Sequence, residues 1–269
     1  MFWPPPRRCV NFSRSRTMSE AMDSTPLALL HGWGMHRQLL APLARQFDGE
    51  RDTILLDLPG HGGRREDLSD LSSWLVPLAQ QLEGSGAPVD LLGWSLGGML
   101  GLALADRCPE MVRRLILVDT TPKFVCGEGW EHGLPRGQVR VLARQLKRDM
   151  IGTMKSFAAL MTPLEDDGDP VWQAWSKECS HPEHLPDLQG ALAGLALLQE
   201  LDLRPRLAAI KAPVLVIHGE RDRVTPVPAG KYLAEQLPDV VWHMVPQAGH
   251  APFYPSFDGL ASVVKEFCR

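Results

Sequence analysis

The sequence predicts an α/β fold in which a mostly parallel sheet, flanked by helices, is interrupted by a helical insertion. Three observations carry this. Short apolar runs alternate with segments of helical spacing over residues 27–118 and again from 214 onward, the pattern of strands covered by helices on both faces. Between them, about 90 residues keep helix formers and tryptophan but lose the strand pattern, as an inserted cap would. At residues 89–98 a strand pattern runs straight into a helix pattern through Gly93-Trp94-Ser95-Leu96-Gly97-Gly98. The implied division is a core of residues 25–121 and 206–269, a helical cap of 122–205, and an N-terminal extension of 1–24.

Bulk properties bound the function classes. The 269 residues suit one large α/β domain with an insertion. Hydrophobic residues make up 44% and charged residues 22%, as in a water-soluble globular protein. No apolar run approaches the roughly 20 residues of a membrane-spanning helix. Cys9, Cys108, Cys126, Cys179 and Cys268 are odd in number and widely spread, which fits free thiols in the cytoplasm better than a disulfide framework or a zinc site. Arg7, Arg8, Arg14 and Arg16 lie in an acid-free stretch of residues 1–17, so the rest of the chain carries −8 of a net charge of −4. An acidic body argues against nucleic-acid binding. A monomer is expected.

Residues 1–23 are rich in Pro, Ser and Arg without hydrophobic period and read as disordered. They lack the apolar core of a secretory signal; their Arg/Ser bias resembles an organelle-targeting segment, but Met18 and Met22 offer later starts, and the segment reads rather as an artefactual or dispensable extension. A buried strand is expected at 27–30, breaking into the loop His31-Gly32-Trp33-Gly34, followed by a helix over 36–47. A second strand, 53–58, runs into Asp57-Leu58-Pro59-Gly60-His61-Gly62. A helix over 71–82 leads to the strand before Ser95, and 115–118 forms the next strand. After the insertion, a strand at 214–218, a helix at 229–237 and a strand at 240–245 complete the pattern.

The chemistry centres on Ser95. A serine at the apex of a sharp strand-to-helix turn adopts a strained positive φ, tolerated where neighbours are as small as Gly93 and Gly97. The helix behind it aims free N–H groups at the same point, where an oxyanion would form. The motif also fits a glycine-rich turn with an idle serine. A base and an orienting acid are therefore required, and Asp222 and His250 both follow strand ends, on the same sheet edge as Ser95. Asp119 and Glu220 compete for the acid role; Asp222 lies farther out on its loop. His250, between Gly249 and Pro252, is a better base than His31, His61 or His218. The glycine loop 31–34 can supply a second oxyanion donor from the Trp33 N–H beside that of Leu96. His31 reads as a loop-ordering histidine and Asp57 as a loop-fixing acid.

Within the insertion, Arg136, Arg140, Arg144 and Arg148 recur every four residues, along one side of a helix, with Lys147 and Lys155 close by and Asp149 the one acid over 136–155. Leu142, Leu146 and Met150 form a separate face able to pack on the body. The stripe is a solvated face or a surface for an anionic partner. Phe157, Ala158, Ala159, Leu160 and Met161 are core or the roof of an acyl pocket. His181 and His184 flank Pro182-Glu183, and without further ligand spacing no metal is assigned to them.

Taken together, the chain resembles the α/β hydrolases and, within them, the pimeloyl-carrier-protein methyl ester carboxylesterases of biotin synthesis. The resemblance rests on Leu29-Leu30-His31-Gly32-Trp33-Gly34, Leu56-Asp57-Leu58-Pro59-Gly60-His61-Gly62, Leu92-Gly93-Trp94-Ser95-Leu96-Gly97-Gly98, Asp202-Leu203-Arg204 and Gly249-His250-Ala251-Pro252-Phe253. It implies an α/β-hydrolase fold with nucleophile Ser95, acid Asp222, base His250 and oxyanion donors Trp33 and Leu96. It further implies an acyl pocket lined by Trp33, Phe157, Ala158, Ala159, Leu160 and Met161, and no metal or organic cofactor. In that family cap arginines hold an acidic acyl-carrier protein. Gly152 and Ser156 stand where two of them would be, so Arg140, Arg144, Arg148 and Lys155 are the docking candidates here. A general short-chain esterase or thioesterase on the same fold is the nearest alternative, and a non-catalytic ligand receptor a more distant one.

Overall fold

The computed structural model describes residues 25–62, 68–85, 88–161 and 169–269; the reading of residues 1–24 as a disordered extension lies outside them. Six parallel strands form one sheet: β1 (Leu27–Leu30), β2 (Thr53–Leu56), β3 (Val89–Trp94), β4 (Val112–Val118), β5 (Val214–Gly219) and β6 (Val240–Val245), in spatial order β2-β1-β3-β4-β5-β6. The order reverses between β1 and β3, so loops after those two strands open onto one crevice at the carboxyl edge. β1, β3 and β5 are buried along their whole length, which explains their unbroken apolar runs. β6 at the sheet's edge alternates intermediate and exposed positions.

The expected helix over 36–47 is instead a short helix α1 (Ala41–Ala44) between 3-10 turns at Arg37–Leu40 and Arg45–Phe47. Pro42 starts rather than continues a helix, yet Leu39, Leu40, Leu43 and Phe47 still bury as their spacing predicts. Helix α2 (Leu71–Glu83) opens with an Asp70–Ser73 capping box. Helix α3 (Leu96–Arg107) is apolar on every side and buried from Leu96 to Ala105, lying against the sheet.

Among the described residues, the insertion between β4 and β5 holds the α-helices α4 (Arg136–Arg148), α5 (Met150–Met161), α6 (Pro170–Cys179) and α7 (Leu188–Glu200). Its two ends meet at a neck. Lys123 and Asp202 pair as an isolated antiparallel bridge, and the Asp202 carboxylate takes Lys123 Nζ at 2.8 Å and a two-point contact from Arg204 at 2.9 and 2.7 Å. Arg204 also donates to the Gly129 carbonyl at 2.7 Å and covers the Trp130 ring. Burial opposes the charge on Asp202, but the Arg204 and Lys123 hydrogen bonds outweigh it and hold the pKa at about 2. The Asp-Leu-Arg signature thus ties the entry of the insertion to its exit. After it, α8 (Val227–Gln236) and α9 (Phe257–Cys268) complete the core; α9 went unread in the sequence. Among the described residues no helix is long and apolar enough to cross a membrane.

Beneath the sheet's amino edge, Asp90 of β3 is fully buried and accepts from Arg51 at 2.7 Å and from Arg113 at 2.8 and 2.7 Å. Those arginines lie just before β2 and within β4, so one carboxylate links the edge of the sheet to its centre. Burial pushes its pKa up, but the two guanidinium contacts prevail and lower it from 3.8. Asp90→Asn leaves two arginines short of a counter-charge and is expected to lower the unfolding free energy by roughly 3 kcal/mol at pH 7. Because the folded-state pKa is depressed, this contribution is complete above the unfolded value and lost as pH falls through the folded one. Urea titrations should therefore show the gap between wild type and D90N narrowing below about pH 4.

Candidate active site

Ser95 sits between β3 and α3 with φ 56° and ψ −117°. No room exists there for side chains on its neighbours. A Cβ on Gly93 would lie 2.5 Å from the Gly97 carbonyl and from Gly98 Cα, and one on Gly97 would meet the Leu30 and His31 carbonyls at 2.4 and 2.5 Å. The Ser95 amide donates to the Val118 carbonyl at 2.9 Å. Leu96 is the first residue of α3, so its N–H has no intrahelical acceptor. The 31–34 loop packs directly against this turn: a Cβ on Gly32 would stand 3.2 Å from that of Ser95.

Two histidines and one acid fix that loop. Leu58 N–H donates to His31 Nε2 at 3.1 Å, His31 Nδ1 lies 2.8 Å from the Gly32 carbonyl, and Gly34 N–H donates to His61 Nε2 at 3.0 Å. Burial, and after it the neighbouring His31, drives the His61 pKa down to about 3. Asp57 accepts the Arg37 N–H at 3.0 Å. Burial opposes its charge, yet contacts with His31 and Arg37 outweigh that and hold its pKa at about 2. The loop-ordering roles read for His31 and Asp57 match these contacts, and His61 joins them.

Asp222 and His250 meet at the carboxyl edge, where His250 Nδ1 lies 2.7 Å from Asp222 Oδ2. Asp222 Oδ1 accepts the Val224 and Thr225 N–H groups at 2.7 and 2.9 Å, and Oδ2 also accepts the Thr225 hydroxyl at 2.5 Å. His250 is held from both sides: its carbonyl accepts Trp94 Nε1 at 2.7 Å and its N–H donates to the Met161 carbonyl at 3.0 Å. Its Nε2 is buried and has no hydrogen-bond partner among the described residues. An imidazole anchored through Nδ1 with Nε2 unspent is arranged to take a proton.

The competing acids are otherwise engaged. Glu220 is exposed and accepts the Gln247 N–H at 2.9 Å. Asp119 shares the buried cluster with Asp222 and His250, but its Oδ1 accepts the Gly219 N–H at 2.7 Å. Burial and the Asp222 charge push its pKa well up. Burial also opposes ionisation of Asp222, but His250, His218 and Thr225 together lower its pKa. The same cluster thus pushes its two carboxyl groups in opposite directions, Asp119 upward and Asp222 downward. His218 is buried, with Nε2 2.9 Å from the Thr225 carbonyl and its ring stacked on Trp242. Burial lowers its pKa.

The insertion closes over this edge. Trp33 Nε1 donates to the Ala191 carbonyl of α7 at 2.8 Å, and its ring meets Phe157 edge-on at 5.0 Å. Helix α5 divides the apolar run: Phe157, Ala158 and Met161 are buried, whereas Ala159 and Leu160 are exposed, Leu160 by 45%. The expectation that all five line an acyl pocket is corrected accordingly, because five successive helical residues span more than a full turn and cannot all share one face. Met154, unread in the sequence, is buried against the glycine loop, since a Cβ on Gly34 would lie 2.4 Å from its Cε. Its i, i+3 spacing to Phe157 was the available signal. On α4, Arg140, Arg144 and Arg148 are exposed, as is Lys155 on α5. Leu146 is buried and Leu142 and Met150 are partly buried, with Val139 added to that face.

A parallel doubly wound sheet with a strained serine at the switch point and a buried Asp–His pair on the neighbouring loops defines the class of α/β hydrolases. Residues 27–263 match the model of the alpha/beta hydrolase family. The chain belongs to that family. A pimeloyl-[acyl-carrier protein] methyl ester esterase of Chromobacterium violaceum is 36% identical over 235 residues, 84% of this chain and 87% of the relative. One of the same name from Nitrosospira multiformis is 32% identical over 260 residues, covering 93% and 97%. Among solved structures, an esterase from Exiguobacterium antarcticum superposes with a TM-score of 0.82 at 21% identity, covering 92% of each chain, and a bromoperoxidase from Bacillus anthracis with 0.83 at 18%, covering 91% and 92%. Neighbours with such different names share the fold alone.

The turn's tolerance for side chains is testable. Gly97→Ala drives a Cβ into two backbone carbonyls and should lower Tm by several degrees and displace Ser95. By contrast, Gly137→Ala in α4, where a Cβ meets nothing within 4 Å, should raise stability by about 0.5 kcal/mol. Thermal unfolding of the two variants separates a tight turn from a general glycine effect.

Proposed function

We propose that the chain is a carboxylic ester hydrolase that cleaves the methyl ester of pimeloyl-[acyl-carrier protein], releasing methanol and the free carboxylate, a step of biotin synthesis. The substrate assignment is carried by the similarity, over most of both chains, to esterases of that name. The chemistry is supported by a buried Asp222–His250 pair beside a strained serine.

In this reading His250 Nε2 removes the Ser95 Oγ proton as the oxygen attacks the ester carbonyl. The resulting imidazolium keeps its Nδ1–H on Asp222, whose charge stabilises it. The N–H groups of Trp33 and Leu96 receive the oxyanion, the latter aided by the positive end of α3. Collapse of the tetrahedral intermediate expels methanol, protonated by His250. Water, deprotonated by the same imidazole, then hydrolyses the acyl-enzyme and restores Ser95. Trp33, Met154, Phe157, Ala158 and Met161 offer apolar walls to the acyl chain, and no step calls on a metal or organic cofactor. The exposed Arg140, Arg144, Arg148 and Lys155 are assigned to the acidic carrier, whose docking depends on long-range charge.

Ser95→Ala is expected to abolish turnover while leaving Tm unchanged within about 2 °C. Asp222→Asn should lower kcat by roughly 10⁴ through the wrong His250 tautomer. Retained activity in S95A removes Ser95 from the mechanism. Steady-state hydrolysis of the carrier-bound methyl ester beside p-nitrophenyl butyrate tests the substrate. A large kcat/KM advantage for the carrier-bound ester is expected; equal or better use of the free ester makes the protein a general esterase. Reversing Arg140, Arg144 and Arg148 to Glu should raise KM for the carrier-bound ester alone, and an unchanged KM removes the docking role.

A further inference from the structure

Away from the Ser95 site, His36, Glu178 and His184 bring three ligand atoms within 4.8 Å of one another. His36 is 3% exposed and stands just before the 3-10 turn Arg37–Leu40, on the core. Glu178 is in the last turn of α6, and His184 lies between α6 and α7, in the insertion. No sequence spacing joins these residues, which explains why His184 beside His181 gave no metal signature.

Their contacts do not satisfy one another. His36 Nε2 is 3.8 Å from Glu178 Oε1, too far for a hydrogen bond, and neither His36 ring nitrogen has a hydrogen-bond partner among the described residues. His184 Nδ1 lies 3.1 Å from the same Oε1 without hydrogen-bond alignment. The His36 and His184 rings face each other at 4.2 Å. Ligands about 2.0–2.1 Å from a tetrahedral zinc ion are spaced about 3.3 Å apart, a value between the two observed separations.

From this juxtaposition we propose that His36, Glu178 and His184 form a binding site for a divalent transition-metal ion, with Zn²⁺ the best-matched, that staples the helical insertion to the core. Two imidazoles and one carboxylate suit Zn²⁺ and disfavour the oxygen-seeking Mg²⁺ and Ca²⁺. A fourth position is open to water or to His181, whose ring lies 5.2 Å from that of His184 and whose Nδ1 also has no partner among the described residues. The site is separate from the proposed catalytic groups, and the ion's role is to hold the insertion against the loop that carries Trp33.

The test uses the full chain, freed of metal with EDTA. Titration with ZnCl₂ by calorimetry, and with CoCl₂ by visible absorption, should give one saturable equivalent with the intense d–d bands of a tetrahedral nitrogen–oxygen site. Zn²⁺ should raise Tm. Glu178→Gln and His184→Asn, at half-exposed positions that leave the core intact, should each weaken binding at least tenfold and remove the Tm rise. Two results overturn the site: no saturable binding at micromolar to millimolar Zn²⁺, or equal binding in wild type, E178Q and H184N. The latter would place the ion on the thiols or on Asp222 and His250.

Discussion

The contact on which the rest of the structure depends is the close approach of backbone to backbone where β1 and β3 end. Gly97 lies so near the Leu30 and His31 carbonyls, and Gly93 so near Gly97 and Gly98, that no side chain fits between them. That proximity forces Ser95 into a positive φ, at a cost of about 1–3 kcal/mol, which buried β1, β3 and α3 offset through their packing. It also brings the glycine loop after β1 against the serine, so one steric constraint positions the Ser95 side chain and both N–H groups proposed for the oxyanion.

A second level of organisation couples the insertion to this edge. His250 bonds through its main chain to Trp94, beside the serine, and to Met161, at the end of α5. Trp33 reaches from the core into α7, and Gly60 and Gly190 approach so closely that a Cβ on Gly190 would lie 2.1 Å from the Gly60 carbonyl. Asp202 closes the neck below. The insertion is therefore built into the site rather than laid upon it. Displacing α5 or α7 would move His250 and the 31–34 loop as well.

Electrostatics then divides the labour between like groups. Asp119 and Asp222 share one buried cluster, yet Thr225, Val224, His250 and His218 all gather on Asp222, while Asp119 keeps a backbone N–H. Two carboxylates that close raise the cost of each other's charge, and the contacts gathered on Asp222 pull its pKa down while burial and the Asp222 charge push that of Asp119 up. The same logic sorts the histidines. His31, His61 and His218 spend ring nitrogens on the main chain, and His250 keeps Nε2 unspent.

The sequence by itself determined the strand and helix alternation and the turn at Ser95, because each is a local matter of hydrophobic period or of glycine beside serine. It also placed Asp222 and His250 on the right sheet edge, since loops after parallel strands share that edge. What it left open needed contacts between distant residues. Whether Asp119 or Asp222 meets His250 depends on loop geometry 100 residues apart in the chain. Ala159 and Leu160 share their apolar character with Phe157 and Met161, and only the helix phase of α5 against the core turned them outward. Pro42 broke a helix whose apolar spacing looked continuous. His36 meets Glu178 and His184 only because the insertion folds back onto β1, a proximity that tertiary packing alone creates.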